Sequence, residues 1–298
     1  MIVTKFKGVL NNNNLPILLL ETGEIIDNYY LGRYLNAVYE NGGTLSSSER
    51  DAVEDFFNTE DIDFSNFIQA YAFIGDTNAA CVPLVDNVHD YTPLSLMKNA
   101  VSLDVMFHKN GNNVIDGATG NASDTLLSTL TPKDIMDYVD DKRFGWGGAL
   151  GGTYNAAEGV FGVNYNSGSS LFGWRIVSGT DYTIRNYTSE SSMNGSKATD
   201  NSSFVYITTR NVVGNSLGIH TYTISTSESS STTGGDRENI DINDNIKDLP
   251  FAIGALNNGG NDFDQPLSMY LKGMTVCKQG RTGIGAFVKL LHDLGRDN

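Results

Sequence analysis

The 298-residue chain holds two cysteines, six prolines, four histidines, and only 20 lysines and arginines against 35 acids. Each scarcity excludes something. Cys81 and Cys277 are far apart and cannot build a disulfide framework; buried thiols are the expected state, with a single Cys81–Cys277 bond as the alternative. His89, His108, His220 and His292 share no H-x-x-x-H or H-E-x-x-H spacing, so no zinc site is expected. A formal charge of −15 and a pI near 4.5 lack the basic surface that displaces counterions from nucleic acid or docks on anionic lipid. Such acidity serves solubility. Long apolar runs are missing as well. Leu15–Leu20, interrupted by Pro16, is far below a membrane span, and Met1–Gly8 lacks the apolar region of a secretory signal. Synthesis in a cytoplasm, without a membrane partner, is the expectation.

Catalytic signals are equally sparse. Gly214-Asn215-Ser216-Leu217-Gly218 fits G-x-S-x-G, but the strand-like Ile219–Ile224 follows where a nucleophile elbow needs a helix. Gly147–Gly152 and Gly280–Gly285 show neither G-x-G-x-x-G between strand and helix nor G-K-[ST]. They read as small residues in a crowded strand and as a strand-to-helix turn. Asp241–Asn245 lacks the glycine and closing glutamate of a calcium loop and reads as a solvated acidic loop. Glu238, Asp241 and Asp244 are spaced by three, which puts neighbours on opposite strand faces and makes a poor glycosidase pair. No catalytic residue, metal or cofactor is expected, and the chain reads as a non-enzyme.

What the chain does have is 32 glycines among many serines, threonines and asparagines, the vocabulary of turns between strands. Candidate strands are Ala100–His108, Leu126–Leu130, Gly147–Tyr154, Gly159–Asn164, Ser170–Val177, Asp181–Tyr187, Ser203–Thr209, Gly218–Thr226, Asp248–Leu256 and Leu267–Cys277. That number at short spacing predicts a sandwich or barrel. Asp248–Cys277 reads as a closing hairpin, two apolar runs around the Asn257–Asp262 turn. The polar loops Thr188–Asn201 and Ser225–Gly235 read as exposed and mobile.

Helices are predicted ahead of the strands. Asp27 is the expected N-cap of a helix to Glu40, with Leu31, Tyr34, Leu35 and Val38 on one face, stopped by Asn41-Gly42-Gly43. Ser46-x-x-Glu49 is a capping box ahead of Ala52, Val53, Phe56 and Phe57. A third short helix is expected over Ser65–Phe73, and a helical turn after Pro132. Gly283–Leu294 reads as an amphipathic helix closed by Gly295, with Arg296 near its negative end. Leu31, Tyr34, Leu35, Val38, Phe56 and Phe57 are more apolar surface than these short helices bury alone, so they must pack on the β domain, on each other or on a second copy; the last makes them candidates for an oligomer interface, in a dimer or trimer. Trp146, Tyr154, Trp174, Tyr182 and Tyr187 lie among the Gly-rich strands. They are candidates for stacking on a glycan, with a place in the sandwich core as the other reading.

Three stretches carry a family likeness: Tyr34–Thr44 (YLNAVYENGGT), Ile68–Gly75 (IQAYAFIG), and Leu249–Asn258 followed by strand, helix and Leu294-Gly295-Arg296. In these the chain resembles bacteriophage virion proteins, crAss-like phages among them, that carry a concanavalin A-like (LamG-like) jelly-roll domain. The resemblance implies a mainly β fold: a jelly-roll β-sandwich with a short N-terminal helical module and a C-terminal helix. The expected division is an arm at 1–26, a separable helical attachment or oligomerisation module at 27–75, and a sandwich at 76–298. It further implies a head or tail fibre or capsid decoration protein, exposed on the virion, whose partners are other virion proteins and a host-surface glycan. The alternatives are a carbohydrate-binding adhesin module, or a glycoside hydrolase on the same fold.

Overall fold

A computed structural model describes residues 8–10, 16–19, 25–26, 28–96, 108–109, 112–113, 115–116, 125–139, 144–151, 158–165, 170–178, 181–186, 189–194, 203–208, 216–224, 229–236, 244–259, 263–264, 267, 270–278 and 283–296. A three-stranded antiparallel ribbon, β1 (Gly8–Leu10), β2 (Pro16–Leu19) and β3 (Ile25–Ile26), comes first. It lies beside helix α1 (Tyr29–Glu40), which α2 (Ser47–Phe57) follows. Next come β4 (Phe67–Tyr71), α3 (Thr77–Ala80), β5 (Val85–Asp86) and β6 (Ser95–Leu96). Short pieces β7 (His108–Lys109), β8 (Asn112–Asn113), β9 (Ile115–Asp116) and β10 (Leu126–Leu127) precede α4 (Pro132–Tyr138).

The long strands follow: β11 (Gly145–Gly151), β12 (Glu158–Tyr165), β13 (Ser170–Ser178), β14 (Asp181–Asn186), β15 (Ser189–Asn194), β16 (Ser203–Thr208), β17 (Ser216–Thr223) and β18 (Ser229–Asp236). Short β19 (Ala252–Ile253), β20 (Leu256–Asn257) and β21 (Phe263–Asp264) lead to β22 (Tyr270–Cys277) and helix α5 (Ile284–Asp293).

Among the described residues these strands form two large sheets. The first runs β15-β14-β13-β12-β19-β10-β6 with β20 and β21 attached; the second runs β18-β17-β16-β11-β22-β4-β5 with β9 attached. Pairing is antiparallel throughout except for one parallel contact, Val163 with Asn257. Between the sheets lies a core of Trp146, Trp174, Phe144, Phe161, Phe172, Phe251, Leu271 and their neighbours. The far side of the second sheet carries another core, where Phe67, Ala149, Phe204 and Tyr222 meet Leu31 and Val38 of α1, Val53 and Phe56 of α2, and Phe287 and Leu291 of α5. The molecule therefore has three layers: helices, second sheet, first sheet.

Close approach dictates glycine at two points in the middle layer. A Cβ on Gly148 would fall 2.7 Å from the Trp174 ring, and one on Gly273 would fall 2.9 Å from Leu291 of α5. The first fits the reading of β11 as crowded, at Gly148, and the second lets the C-terminal helix sit down on the sheet.

Several local expectations hold. Ser46 and Glu49 form the capping box of α2, Pro132 opens α4, and strand β17, not a helix, follows Ser216; α4 also carries a capping box of its own between Thr131 and Asp134. Gly295 closes α5 in a Schellman arrangement, with Gly295 N–H donating to His292 O and Arg296 N–H to Leu291 O. The Arg296 side chain, expected near the helix end, instead turns inward, is buried, and donates to Phe73 O at 3.1 Å.

Other expectations are corrected. Asn28, not Asp27, caps α1, its Oδ1 accepting the N–H groups of Tyr30 and Leu31. The third helix over 65–73 is a single 3-10 turn, Phe64–Asn66, leading into strand β4; a short run buried on both faces carries no period to tell helix from strand. The closing hairpin does not exist as such. The Asn/Gly turn, with Gly259 at φ +85, joins β20 to the short β21 in the first sheet, whereas β22 crosses to the second. The polar loops expected to be mobile supply β15 and β18, which are edge strands; a strand paired through its backbone on one side needs little apolar side chain. Most of the candidate strand Ala100–His108 lies outside the described residues. Cys81 and Cys277 are buried thiols in different cores, on opposite sides of the second sheet.

The boundary expected at residue 75 also falls inside one packed body. β4 pairs with β22 over residues 67–71, Phe56 of α2 meets Phe287 of α5 at 6.3 Å, and α1 shares their core. Deleting residues 1–43 strips Leu31, Tyr34 and Val38 from that core and should cost about 5 kcal/mol at 1.5–3 kcal/mol per buried side chain. Deleting residues 1–27 keeps Asn28 and the whole of α1 and should cost far less. Urea unfolding of the two truncations measures this; equal midpoints would show that α1 is dispensable to the fold.

Candidate functional site

The structure distributes the expected site residues unevenly. Trp146 and Trp174 are fully buried, which corrects their reading as sugar-stacking residues. Both occupy inward positions of their strands: Trp146 packs on Phe144, Phe161 and Phe172 with ring centres 5.2–6.1 Å apart, and Trp174 meets Phe161 edge-on at 6.1 Å. Tyr154 and Tyr187 lie outside the described residues. Tyr182 stands in β14 opposite Ile176 and Met193, and its side chain is outside them as well. The interface candidates are corrected too. Leu31, Tyr34, Val38, Phe56 and Phe57 are buried within their own chain, and Leu35 packs half-buried on the same core. The apolar surplus of the N-terminal helices is taken up by α5 and the second sheet, so it does not call for another copy.

What the fold does assemble is a shelf where α1 meets the loop after β5. The loop is built on Asp86, a fully buried carboxylate at the end of that strand. Its Oδ1 accepts the N–H groups of Val88 and His89 at 3.0 and 2.8 Å, and its Oδ2 accepts Gln69 Nε2 at 3.1 Å. Gln69 Oε1 in turn accepts Ser128 Oγ–H at 2.7 Å. Asn87 then donates to the carbonyls of Phe64 and Phe67, and His89 Nε2 lies 3.0 Å from Asp134, the capping acid of α4. Each residue from 86 to 89 is thus tied to a different neighbour.

Two residues later the tight turn brings Tyr91 to φ +55, a left-handed conformation that costs a non-glycine residue about 1–3 kcal/mol and persists only where surroundings enforce it. The buried Tyr91 ring is covered by the guanidinium of Arg33, 4.7 Å from its centre. Tyr29, one helical turn before Arg33, brings its ring to 5.4 Å from the same guanidinium and accepts Nη1–H at 3.2 Å on its hydroxyl. Asp90 accepts Nη2–H at 2.6 Å from the solvent side. Tyr29 is 41% exposed and, with Tyr39, is one of two large apolar side chains exposed among the described residues.

The electrostatics follow from burial. Desolvation raises the Asp86 pKa above the ordinary 3.8, against the N–H groups of His89 and Val88 and the Gln69 amide, which favour the carboxylate. Burial acts to lower the Arg33 pKa, but the hydrogen bond to Asp90 and the phenols of Tyr91 and Tyr29 outweigh it, so the shift is upward and the guanidinium stays charged. Burial likewise raises the Tyr91 phenol and keeps it neutral. Chemically the shelf offers a flat aromatic face, a fixed cation and an exposed acid. Among the described residues no group of three histidines, cysteines or acids is placed to hold a metal ion. The signal that could have revealed the shelf is the Tyr29–Arg33 spacing of four, one helical turn, although its partner Tyr91 lies 58 positions further on.

No family model and no curated protein matches the chain. Solved structures do. A mutant of NanB sialidase from Streptococcus pneumoniae aligns at TM-score 0.37 and 11% identity, over 53% of this chain and 27% of that one. The CBM40 of the Ruminococcus gnavus IT-sialidase, bound to α2,3-sialyllactose, aligns at TM-score 0.34 and 12% identity, over 49% of this chain and 80% of that one. The sialidase of Trypanosoma rangeli, in complex with 2,3-difluoro-KDN, aligns at TM-score 0.42 and 8% identity, over 96% of this chain and 42% of that one. The chain thus spans about a quarter of the NanB structure and less than half of the trypanosomal sialidase.

The buried carboxylate makes a pH-dependent prediction. With its folded pKa raised above 3.8, Asp86 favours the fold most when protonated, and that contribution disappears as pH rises through the raised value. Asp86→Asn removes the titration but keeps an oxygen for the two loop N–H groups, and its new amide can donate to a turned-over Gln69. Unfolding in urea from pH 3.5 to 7 should therefore show wild type losing stability relative to Asp86→Asn as pH rises. A gap constant across that range would refute the burial argument. Asp86→Ala leaves three donors unsatisfied and should lose about 3 kcal/mol at the acid end of that range, a deficit that shrinks as pH rises because this variant does not titrate either.

Proposed function

We propose that this chain is a non-catalytic, carbohydrate-binding β-sandwich of the concanavalin A-like jelly-roll type, contacting glycans through the Tyr29–Arg33 shelf. The fold part of the proposal is supported by two stacked antiparallel sheets around one aromatic core, together with the sequence resemblance at Tyr34–Thr44, Ile68–Gly75 and Leu249–Asn258. The observation that carries the binding part is the half-exposed Tyr29 ring standing beside a guanidinium fixed on Tyr91. An aromatic face accepts the apolar side of a pyranose ring, and a neighbouring cation bonds hydroxyl or charged substituents. Sites of this kind depend on rigidity, and the Asp86–Tyr91 loop is tied at nearly every residue.

The setting we infer from the resemblance is the surface of a bacteriophage particle, where such a protein would serve as a head or tail fibre or decoration subunit and touch host glycans. With α1 and α2 spent on the internal core, attachment to other virion proteins and assembly into dimers or trimers fall to surfaces outside the helical core, such as the β1–β3 ribbon. Peptide mass spectrometry of purified particles tests the setting, and absence of the chain from them would remove it.

A glycan array probed with wild type, Tyr29→Ala and Arg33→Ala tests the binding part. Both variants should weaken the strongest hits by about tenfold or more. The thermal midpoint of Tyr29→Ala should stay close to wild type because that side chain is exposed, whereas Arg33→Ala uncovers the Tyr91 ring and should lose about 1 kcal/mol while remaining folded. Trp174→Ala, by contrast, empties part of the core and should cost about 3–5 kcal/mol in stability. Array signals unchanged in both shelf variants would place glycan contact elsewhere.

A further inference from the structure

Arg33 is held between two tyrosine rings, that of Tyr91 buried, and meets an exposed carboxylate on its solvent side. Its guanidinium lies 4.7 Å from the Tyr91 ring centre and 5.4 Å from that of Tyr29, and Nη1 is spent on the Tyr29 hydroxyl. These contacts fix its plane and position through α1 and the buried Tyr91. On the solvent side stands Asp90, whose side chain is 95% exposed where that of Arg33 is 24% exposed. Among the described residues the Asp90 side chain makes one polar contact, accepting from Arg33 Nη2 on Oδ1 at 2.6 Å, from a position otherwise in water. An ion pair so exposed contributes at most about 1 kcal/mol. An arriving anionic oxygen would form the same charge-assisted bond to a guanidinium whose rotamer freedom is already lost, and would displace a carboxylate that gives up little by returning to water.

We propose that the shelf selects sugars bearing an anionic substituent, a carboxylate or a sulfate, and that Asp90 is a tethered competitor holding the anion position until such a sugar displaces it. The proposal rests on the glycan-binding reading of the shelf and adds the ligand class. In that complex the sugar ring lies against Tyr29, its anionic group takes the Arg33 Nη2 position, and Asp90 swings out. Specificity then comes from the charge of the substituent, while Tyr29 supplies affinity for the ring whatever it carries.

Calorimetric titration of the full chain with three sugar probes tests this, oligogalacturonate, sulfated dextran oligosaccharide and unmodified dextran oligosaccharide, with poly-glutamate as a control for charge alone. Wild type should favour one or both anionic probes over dextran, and the preferred one identifies the anion. In Asp90→Asn the ratio of anionic to neutral affinity should rise about fivefold, the equivalent of one exposed ion pair. In Arg33→Gln that ratio should fall by about tenfold or more. Equal binding of dextran and the anionic probes by wild type, or a ratio that falls in Asp90→Asn, would overturn the ligand class and leave the glycan reading standing. If poly-glutamate matched oligogalacturonate, the shelf would be reading charge without sugar, which overturns the proposal. Binding of no probe by any variant would sink the proposal together with the glycan reading beneath it.

Discussion

The middle of the second sheet is buried on both faces, and the rest of the structure is arranged to satisfy that constraint. β11, β22 and β4 are buried along almost their entire length. Water on either side would leave large apolar surfaces uncovered, so one face must meet a second sheet and the other a layer of helices. This is why three helices from opposite ends of the sequence converge on one side, and why the chain needs glycine at Gly148 and Gly273 where layers come closest. It is also why the buried Lys272 on β22 reaches out of the sheet to the backbone carbonyl of Arg296: a cation stranded between two apolar layers must find an oxygen.

The same constraint separates the two kinds of aromatic residue. Phenylalanines fill both cores, joined by Trp146, Trp174 and Tyr71 in the first and by Tyr34 and Tyr222 in the second, in contacts between 5 and 6.4 Å that combine stacked and edge-on geometries. The tyrosines of the shelf sit at the boundary of the helical layer, with Arg33 between them and water beyond. Composition treats all of these as equivalent, but position relative to the layers does not. A tryptophan between two sheets is scaffold, whereas a tyrosine at the rim of α1 is available to a ligand.

The sequence made much of this legible, and the failures have physical causes. Helix ends were readable because their signals are local: Ser46 with Glu49, Pro132 at the start of α4, and Gly295 after α5 each act within a few residues. Long strands were readable where turns bracket apolar residues, as in β12, β13 and β16. β15 and β18 were not, because an edge strand is specified by a partner's backbone and its serines carry no pattern. β4 was misread because burial on both faces erases the alternation that marks a strand. The separation of β20 from β22 into different sheets was not legible either, since the turn chemistry at Gly259 is the same whichever strand follows. The shelf was illegible for a related reason: Arg33, Tyr91 and Asp86 are brought together only by tertiary packing, and none carries a motif. Trp146 and Trp174 stood out in the sequence because tryptophan is scarce, and scarcity says nothing about which way a side chain points.

The meeting of α1 and α2 with β22 and α5 also has a kinetic side. The two groups are separated by more than 200 positions, yet each completes the other's core. Closing so long a loop has to precede any reward from the contacts it makes, and β4, although β5 is close by in sequence, cannot pair along its other edge until β22 is present. Folding of this chain should therefore be slow and late-committing. The N-terminal helices would spend that interval with their phenylalanines exposed, the stage at which such a chain is most exposed to aggregation.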